Sequence, residues 1–274
     1  MSSSIERFDD KARRDFGKLG HTVVHRGELL RHPLYTRFLH WSVSIFFILA
    51  LLSGFGIYSP WLYRWLTPLF GGGPTTRLLH PWFGLGFEIF FFLQFLNWLR
   101  PMKWTKTDSR FLRRIKEYAS NEEKLEPEDT GFFNGGQKLY FWTIFVSGLL
   151  FLLTGILIWF DTDTNRWLVA ISYVIHDLAA LIMLAGFIIH VYQSTASEPG
   201  TFRSMISGTV TKAWAWTHHP AWYRDVTGRN PREDYERESR HQRDRNRLIE
   251  EWERELDNRE QSNNLTGREP PEGG

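Results

Sequence analysis

Cysteine is absent from all 274 residues. That excludes disulfides, cysteine-ligated iron–sulfur clusters, thiolate zinc sites and covalent c-type haem attachment, so any metal here must lean on histidine, methionine or carboxylates. The inward-facing carboxylate set of a di-iron bundle is missing too. No apolar run precedes residue 38, so no cleavable signal peptide is expected. Net charge is small, with 33 basic residues against 31 acidic ones, and nothing in it calls for nucleic acid as a partner. The position of the charges carries more information than their sum.

What is present is apolar and aromatic, with 22 Phe and 13 Trp. Apolar residues gather into four blocks, from about Leu39 to Tyr58, Leu78 to Leu99, Leu139 to Phe160 and Trp167 to Tyr192. Each reaches the roughly 20 residues that a helix needs to cross a bilayer. Runs such as Phe87–Leu96 and Gly148–Trp159 are apolar on every side, unlike a surface helix of a soluble bundle. The expected fold is an all-α membrane protein, a four-transmembrane-helix bundle with cytoplasmic N- and C-terminal extensions. Orientation follows from the flanks. Eight Lys or Arg residues precede the first span and nine lie from Arg100 to Lys138, whereas the other two loops hold only Arg64, Arg77 and Arg166. Positive charge marks the cytoplasmic side.

The expected divisions are a cytoplasmic N-terminal segment (1–37), the transmembrane domain (38–192), an interfacial cytoplasmic segment (193–224) and a charged C-terminal tail (225–274). The interfacial reading rests on Lys212–Tyr223, which mixes Trp with Lys and His. The tail reads as weakly helical over Ile249–Leu256 and disordered over its last dozen residues, rich in Gly, Pro and Glu.

Six of the ten histidines lie in the tails: His21, His25, His32, His218, His219 and His241. The other four, His40, His80, His176 and His190, lie in or at the apolar blocks. A lone membrane histidine is usually a helix–helix hydrogen-bonding residue. Four of them sort by helix direction into one pair in each leaflet. His40 opens the first helix and His190 closes the fourth on the cytoplasmic side; His80 opens the second on the outer side, and His176 lies in the outer half of the fourth. His176 and His190 are 14 residues apart, which returns to within about 40° of one face and separates them by about 21 Å. That arrangement suits two stacked haems, each held between two histidines. Bis-imidazole iron has no open position, so the expected chemistry is electron transfer rather than oxygen binding.

Other residues fit the same picture. Gly54, 14 residues after His40, is expected to face inward at outer-haem depth, leaving room for a porphyrin. Gly84 and Gly86 follow His80 and read equally as haem clearance or close helix packing. Arg37 and Arg77 each precede a histidine by three residues, placing a guanidinium on its face one turn nearer water, suited to a haem propionate or to plain interfacial anchoring. Glu88 lies well inside the second span, where an ionisable residue is costly, and its role stays open.

These residues resemble a known family. Arg37-Phe-Leu-His40-Trp, Leu79-His80-Pro81-Trp-Phe-Gly84, Phe133-Asn134-Gly135-Gly136-Gln137-Lys138, Ile175-His176 and Ile189-His190 are similar to the cytochrome b (gamma) subunit of membrane-bound formate dehydrogenase, as is the tail His218-His219-Pro220-Ala-Trp222-Tyr223-Arg224. The resemblance covers roughly residues 31–225 and implies two b haems, His40 and His190 on the inner and His80 and His176 on the outer. It implies a ferredoxin-like iron–sulfur subunit as electron donor and a molybdopterin or tungstopterin subunit that oxidises formate. It also implies a quinone acceptor near the inner haem, by Asn134, Gly136 and Gln137 with His190 close by. An Asn or Gln amide can donate to a quinone carbonyl, and a glycine pair before a helix leaves N–H groups free. Asn134 equally suits a plain helix cap. Gln94, 14 residues after His80, is a weaker candidate. The implied location is a bacterial or archaeal inner membrane, as part of a complex that can be oligomeric. The same di-haem module could serve a hydrogenase or another molybdopterin oxidoreductase, and a non-haem anchor or transporter is the reading from another class.

Overall fold

The computed structural model describes residues 23–24, 28–113, 129–160 and 165–266. His21, His25, the basic residues before Glu28, Arg114, Lys116, Lys124 and the Gly/Pro-rich end lie outside the described residues.

Four helices are long and apolar enough to cross a membrane: α1 (Leu34–Tyr58), α3 (Gly73–Trp98), α5 (Gly135–Trp159) and α6 (Arg166–Tyr192), the last running into a π-helical turn at Gln193–Ser197. Between α1 and α3 lie the short α2 (Pro60–Leu66), capped by Ser59 Oγ, and a 3₁₀ turn at Thr67–Phe70. The turn ends on Gly71 and Gly72, whose φ angles of 84° and 100° suit glycine. Ile45, Ile89, Leu153 and Ile182 are each more than half exposed on the outer faces of the spans. Such continuous apolar surface is untenable in water and is what lipid requires, because each helix satisfies its own backbone.

The bundle is two helical hairpins. α1 packs along α3, α5 packs along α6, and a thinner α3–α5 contact joins them. Gly86 lets α1 and α3 approach, since a Cβ there would stand 2.4 Å from the Phe46 ring. Its packing role thereby has a concrete partner. The backbone of α6 stays further from α1 and α3, and rings fill the space between: Phe87, Phe91 and Met183 form a buried cluster against Phe47 and Ile144.

Both flanks of the bundle combine in a small lobe. β1 (Val23–Val24), β2 (Glu28–Leu30) and β3 (Thr209–Thr211) form an antiparallel sheet in that order, with Leu29 opposite Val210. α7 (Thr201–Ile206), α8 (Lys212–His218) and α9 (Pro220–Thr227) close it, burying Leu29, Val210, Trp214, Ala215, Trp222, Tyr223 and Val226 around Phe132. The stretch expected to lie along the interface is therefore the core of a folded lobe. It is joined to the bundle by Trp41 Nε1, which donates to Met205 O at 3.0 Å.

The described residues from Arg229 onward form a separate unit. The expected weak helix at Ile249–Leu256 is part of a continuous one, α10, over Pro231–Thr266. Asn230 Oδ1 accepts from Arg232 N, Pro231 opens the helix and Glu233 and Asp234 occupy its first turn. Arg247–Glu251 and Arg254–Glu250 pair at i,i+4 along it.

Candidate functional site

At the bundle end away from the lobe, the rings of His80 on α3 and His176 on α6 face each other with centroids 6.3 Å apart. His80 Nδ1 lies 2.9 Å from Ser53 Oγ on α1, and His176 Nδ1 lies 2.9 Å from Thr154 Oγ1 on α5. Each hydroxyl commits its own proton to a carbonyl, Ser53 to Leu49 O at 2.7 Å and Thr154 to Leu150 O at 2.6 Å. The hydroxyl oxygens therefore accept from Nδ1–H, which fixes the tautomer and leaves Nε2 of both rings with a free lone pair. A glycine follows each hydroxyl. A Cβ on Gly54 would stand 3.1 Å from His80 Cε1, and one on Gly155 would stand 3.9 Å from His176 Cε1.

At the lobe end, His40 on α1 and His190 on α6 have ring centroids 6.2 Å apart. His40 Nδ1 is buried and has no hydrogen-bond partner among the described residues. The His190 ring lies on Tyr140 of α5, at 4.8 Å and 14° between planes. Gly186, one turn before His190, permits this, because a Cβ there would stand 3.0 Å from the Tyr140 ring. Asn97 Nδ2 donates to Thr36 Oγ1 at 3.1 Å and ties the lobe ends of α1 and α3. One turn deeper on those helices lie His40 and Gln94, and the buried Gln94 amide has no hydrogen-bond partner at either atom among the described residues.

Among the described residues no cluster of three or more His, Asp or Glu side chains could hold a metal ion; each pair offers two donors only. A metal bonded at about 2 Å to one nitrogen of each of two opposed imidazoles leaves the ring centroids about 6 Å apart, as both pairs stand. A two-donor site fits an ion that brings its other ligands with it, as the porphyrin does in haem. Gly84, one turn after His80, opens onto free space, with nothing within 4 Å of a Cβ placed there.

The remaining candidates fall in several places. Arg37 Nη1 donates to Ile206 O at the end of α7, while its Nε is buried without a partner; Arg77 is exposed. Asn134 and Gln137 form a reciprocal capping box at the start of α5, Asn134 Oδ1 accepting from Gln137 N at 2.9 Å and Gln137 Oε1 accepting from Asn134 N at 3.1 Å. The space left by Gly135 and Gly136 is taken by the ring of Phe111, on α4 (Lys106–Arg113), 2.8 Å and 3.3 Å from their added Cβ positions. These four residues therefore build the entry to α5. The loop before it is held carbonyl by carbonyl: Thr130 O accepts from Ala221 N at 3.0 Å, Gly131 O from His219 Nδ1 at 2.8 Å and Phe132 O from Arg31 Nη2. Arg31 also reaches His219 Nε2 at 2.9 Å and lies against the rings of Phe132, Trp214 and Trp222. Burial, with the Arg31 charge beside it, holds His219 well below the usual histidine value. The Glu88 carboxylate sits against Gly148, whose added Cβ would stand 3.4 Å from it.

Residues 31–208 match the sequence profile of the prokaryotic cytochrome b561 family. The chain belongs to that family. As a cytochrome b it binds haem b, which the donors and spacing of the histidine pairs fit. Its relatives include the "cytochrome b556(Fdn) subunit" of the nitrate-inducible formate dehydrogenase of Escherichia coli, 35% identical over 202 residues, covering 72% of this chain and 91% of that protein. The Escherichia coli formate dehydrogenase "cytochrome b556(fdo) subunit" is 31% identical over 207 residues, covering 74% and 96%. A formate dehydrogenase cytochrome b556 subunit of Haemophilus influenzae is 30% identical over 201 residues, covering 72% and 83%. Within this cytochrome b, sequence reasoning missed Ser53, Thr154 and Tyr140. A partial signal for the first two exists in the chain: within the four spans a hydroxyl–glycine dipeptide occurs at Ser53-Gly54 and Thr154-Gly155, and also at Ser147-Gly148.

Proposed function

We propose that the chain is the di-haem cytochrome b subunit of a formate dehydrogenase complex, with one haem between His40 and His190 and the other between His80 and His176. It takes electrons from a ferredoxin-like iron–sulfur subunit and delivers them to a quinone, while formate is oxidised on a molybdopterin or tungstopterin subunit. The observation that carries this reading is the pair of opposed imidazoles at each end of the bundle, 6.2 Å and 6.3 Å apart, in a chain so similar to formate dehydrogenase cytochromes. Held between two imidazoles, a haem b supplies a one-electron couple with no open coordination position.

The chain's own residues do the rest. Ser53 and Thr154 engage Nδ1 of His80 and His176, which leaves their Nε2 atoms as the donors that would hold the haem iron. The stacked Phe87 and Phe91, 5.6 Å apart, keep water out of the space between the two levels. Arg37 Nε and exposed Arg77 are the cations for the propionates. Asn134, Gly136, Gln137 and His190 line the quinone site, beside the entry to α5. Both termini and the lobe lie in the cytoplasm, which the Lys/Arg asymmetry supports.

Purification of the full-length chain with its partners tests the reading. Formate should reduce a b-type absorbance band, and a molybdopterin or tungstopterin subunit should co-purify. Reduction by hydrogen and not formate, with a nickel–iron partner, would assign the module to a hydrogenase; no b-type band would sink the haem reading. A periplasm-active reporter should be silent after Tyr223 and active within 59–76.

A further inference from the structure

Beside the entry to α5 lies a cavity of about 160 Å³, large enough for several water molecules. Its walls include Thr105, Asp108, Asp129, Thr130, Asn134 and Lys138. Asp108 and Lys138 are buried, at 2% and 6% exposure, and Lys138 Nζ donates to Asp108 Oδ2 at 2.8 Å. The same oxygen accepts from Thr105 N and Thr105 Oγ1, each at 2.7 Å, and Lys138 Nζ also donates to Lys103 O at 3.0 Å. A buried ion pair is a poor way to add stability, because desolvation offsets most of the attraction. An ammonium with a third N–H, set against a cavity with room for water, is a way to hold a transferable proton. Lys138 is one turn along α5 from Asn134, on the same side of the helix. At the other edge of the cavity the Asp129 carboxylate is half exposed and held by Thr107 Oγ1 at 2.6 Å and by Arg110. The cavity thus joins the water phase to a buried proton carrier at the proposed quinone site.

We propose that this cavity, with the Lys138–Asp108 pair at its inner end, is the proton entry for quinone reduction, an assignment that rests on the quinone reading above. A quinone becomes a quinol by taking two electrons, delivered by the haems, and two protons. Lys138 gives an N–H proton to a quinone oxygen through the cavity water. It regains one from the water phase past Asp129. Asp108 Oδ2 holds Lys138 Nζ in place between transfers.

Lys138→Arg separates this role from a structural one. A guanidinium keeps the ion pair and the charge but does not give up its proton. In the purified complex, this variant should retain full haem content, normal haem reduction by formate, and the haem-band shift produced by a hydroxyquinoline quinone analogue. Reduction of a soluble naphthoquinone should fall about tenfold or more, with a larger solvent deuterium isotope effect. Asp108→Asn should show the same split in milder form. Wild-type turnover in Lys138→Arg with the band shift intact would overturn the proton route alone. Loss of the band shift in that variant would make Lys138 a quinone-holding residue and overturn it too. A wild-type complex that neither reduces the naphthoquinone nor responds to the analogue would overturn the quinone reading and this assignment with it.

Discussion

The two histidine pairs have nearly equal ring separations, yet they are supported in different ways. At the end away from the lobe, each ring is held by a hydroxyl whose own proton is committed to a carbonyl, and a glycine beside it makes room. At the lobe end there is no such hydroxyl: His40 Nδ1 is left without a partner among the described residues, and His190 is positioned by the face of Tyr140. The first arrangement fixes tautomer and direction before any iron arrives. The second leaves buried polar atoms without partners among the described residues, at the level of the proposed quinone site.

The largest effect expected from this contrast is loss of one haem. His80→Ala or His176→Ala should leave about one haem per chain by pyridine haemochrome assay, with the lobe-end site intact, since no ligand is shared. Retention of both haems would break the pairing.

Next in size, Ser53→Ala and Thr154→Val should weaken haem retention at the far site by about 10- to 100-fold, the usual cost of losing a metal ligand's orienting partner. Redox titration should show one of the two midpoint potentials moving. Equal movement of both would erase the distinction between the sites. A finer comparison uses the glycines. Gly54→Ala brings a methyl to 3.1 Å from the His80 ring and should disturb that site's spectrum, whereas Gly155→Ala stands 3.9 Å from His176 and should be tolerated. The reverse order would mean that the ring positions differ from those described.

The spans and the histidine pairs were legible in the sequence because both depend on short-range periodicity: apolar length sets the crossings, and helix direction sorts His40 with His190 and His80 with His176. The lobe was not legible. Its central contact joins Arg31 to His219, 188 residues apart, and a stretch of Trp, Lys and His reads equally well as interfacial. In the tail, the weakly helical reading of Ile249–Leu256 caught part of a longer helix, which Arg and Glu spaced at i,i+4 favour. Asn134 fitted two roles, and its side chain makes the cap in the structure.

The smallest effect concerns the support under the lobe-end site. His219 is neutral and buried, with its pKa held well below the usual 6.5. When the lobe opens, the side chain regains its ordinary affinity for protons, so below about pH 6.5 the open state binds more of them and the lobe loses stability as pH falls. Hydrogen exchange over 130–134, corrected for intrinsic rate, should speed up from neutral to mildly acid pH in the wild type. In His219→Gln that acceleration should be reduced. An unchanged pH response would show that His219 is not the group that loosens the loop.

The division into two hairpins also bears on how such a chain is made. α1 and α3 pack along each other, and Ser53 already orients His80 within that half; α5 and α6 do the same with Thr154 and His176. Each half can therefore enter the bilayer and settle on its own as it leaves the ribosome. Few backbone contacts cross the gap, where Phe87 and Phe91 pack on Met183, and a haem held between the opposed rings would add a clasp. Biogenesis would then have a natural checkpoint: a chain starved of haem would lack that clasp and lie more open to membrane proteases than a loaded one.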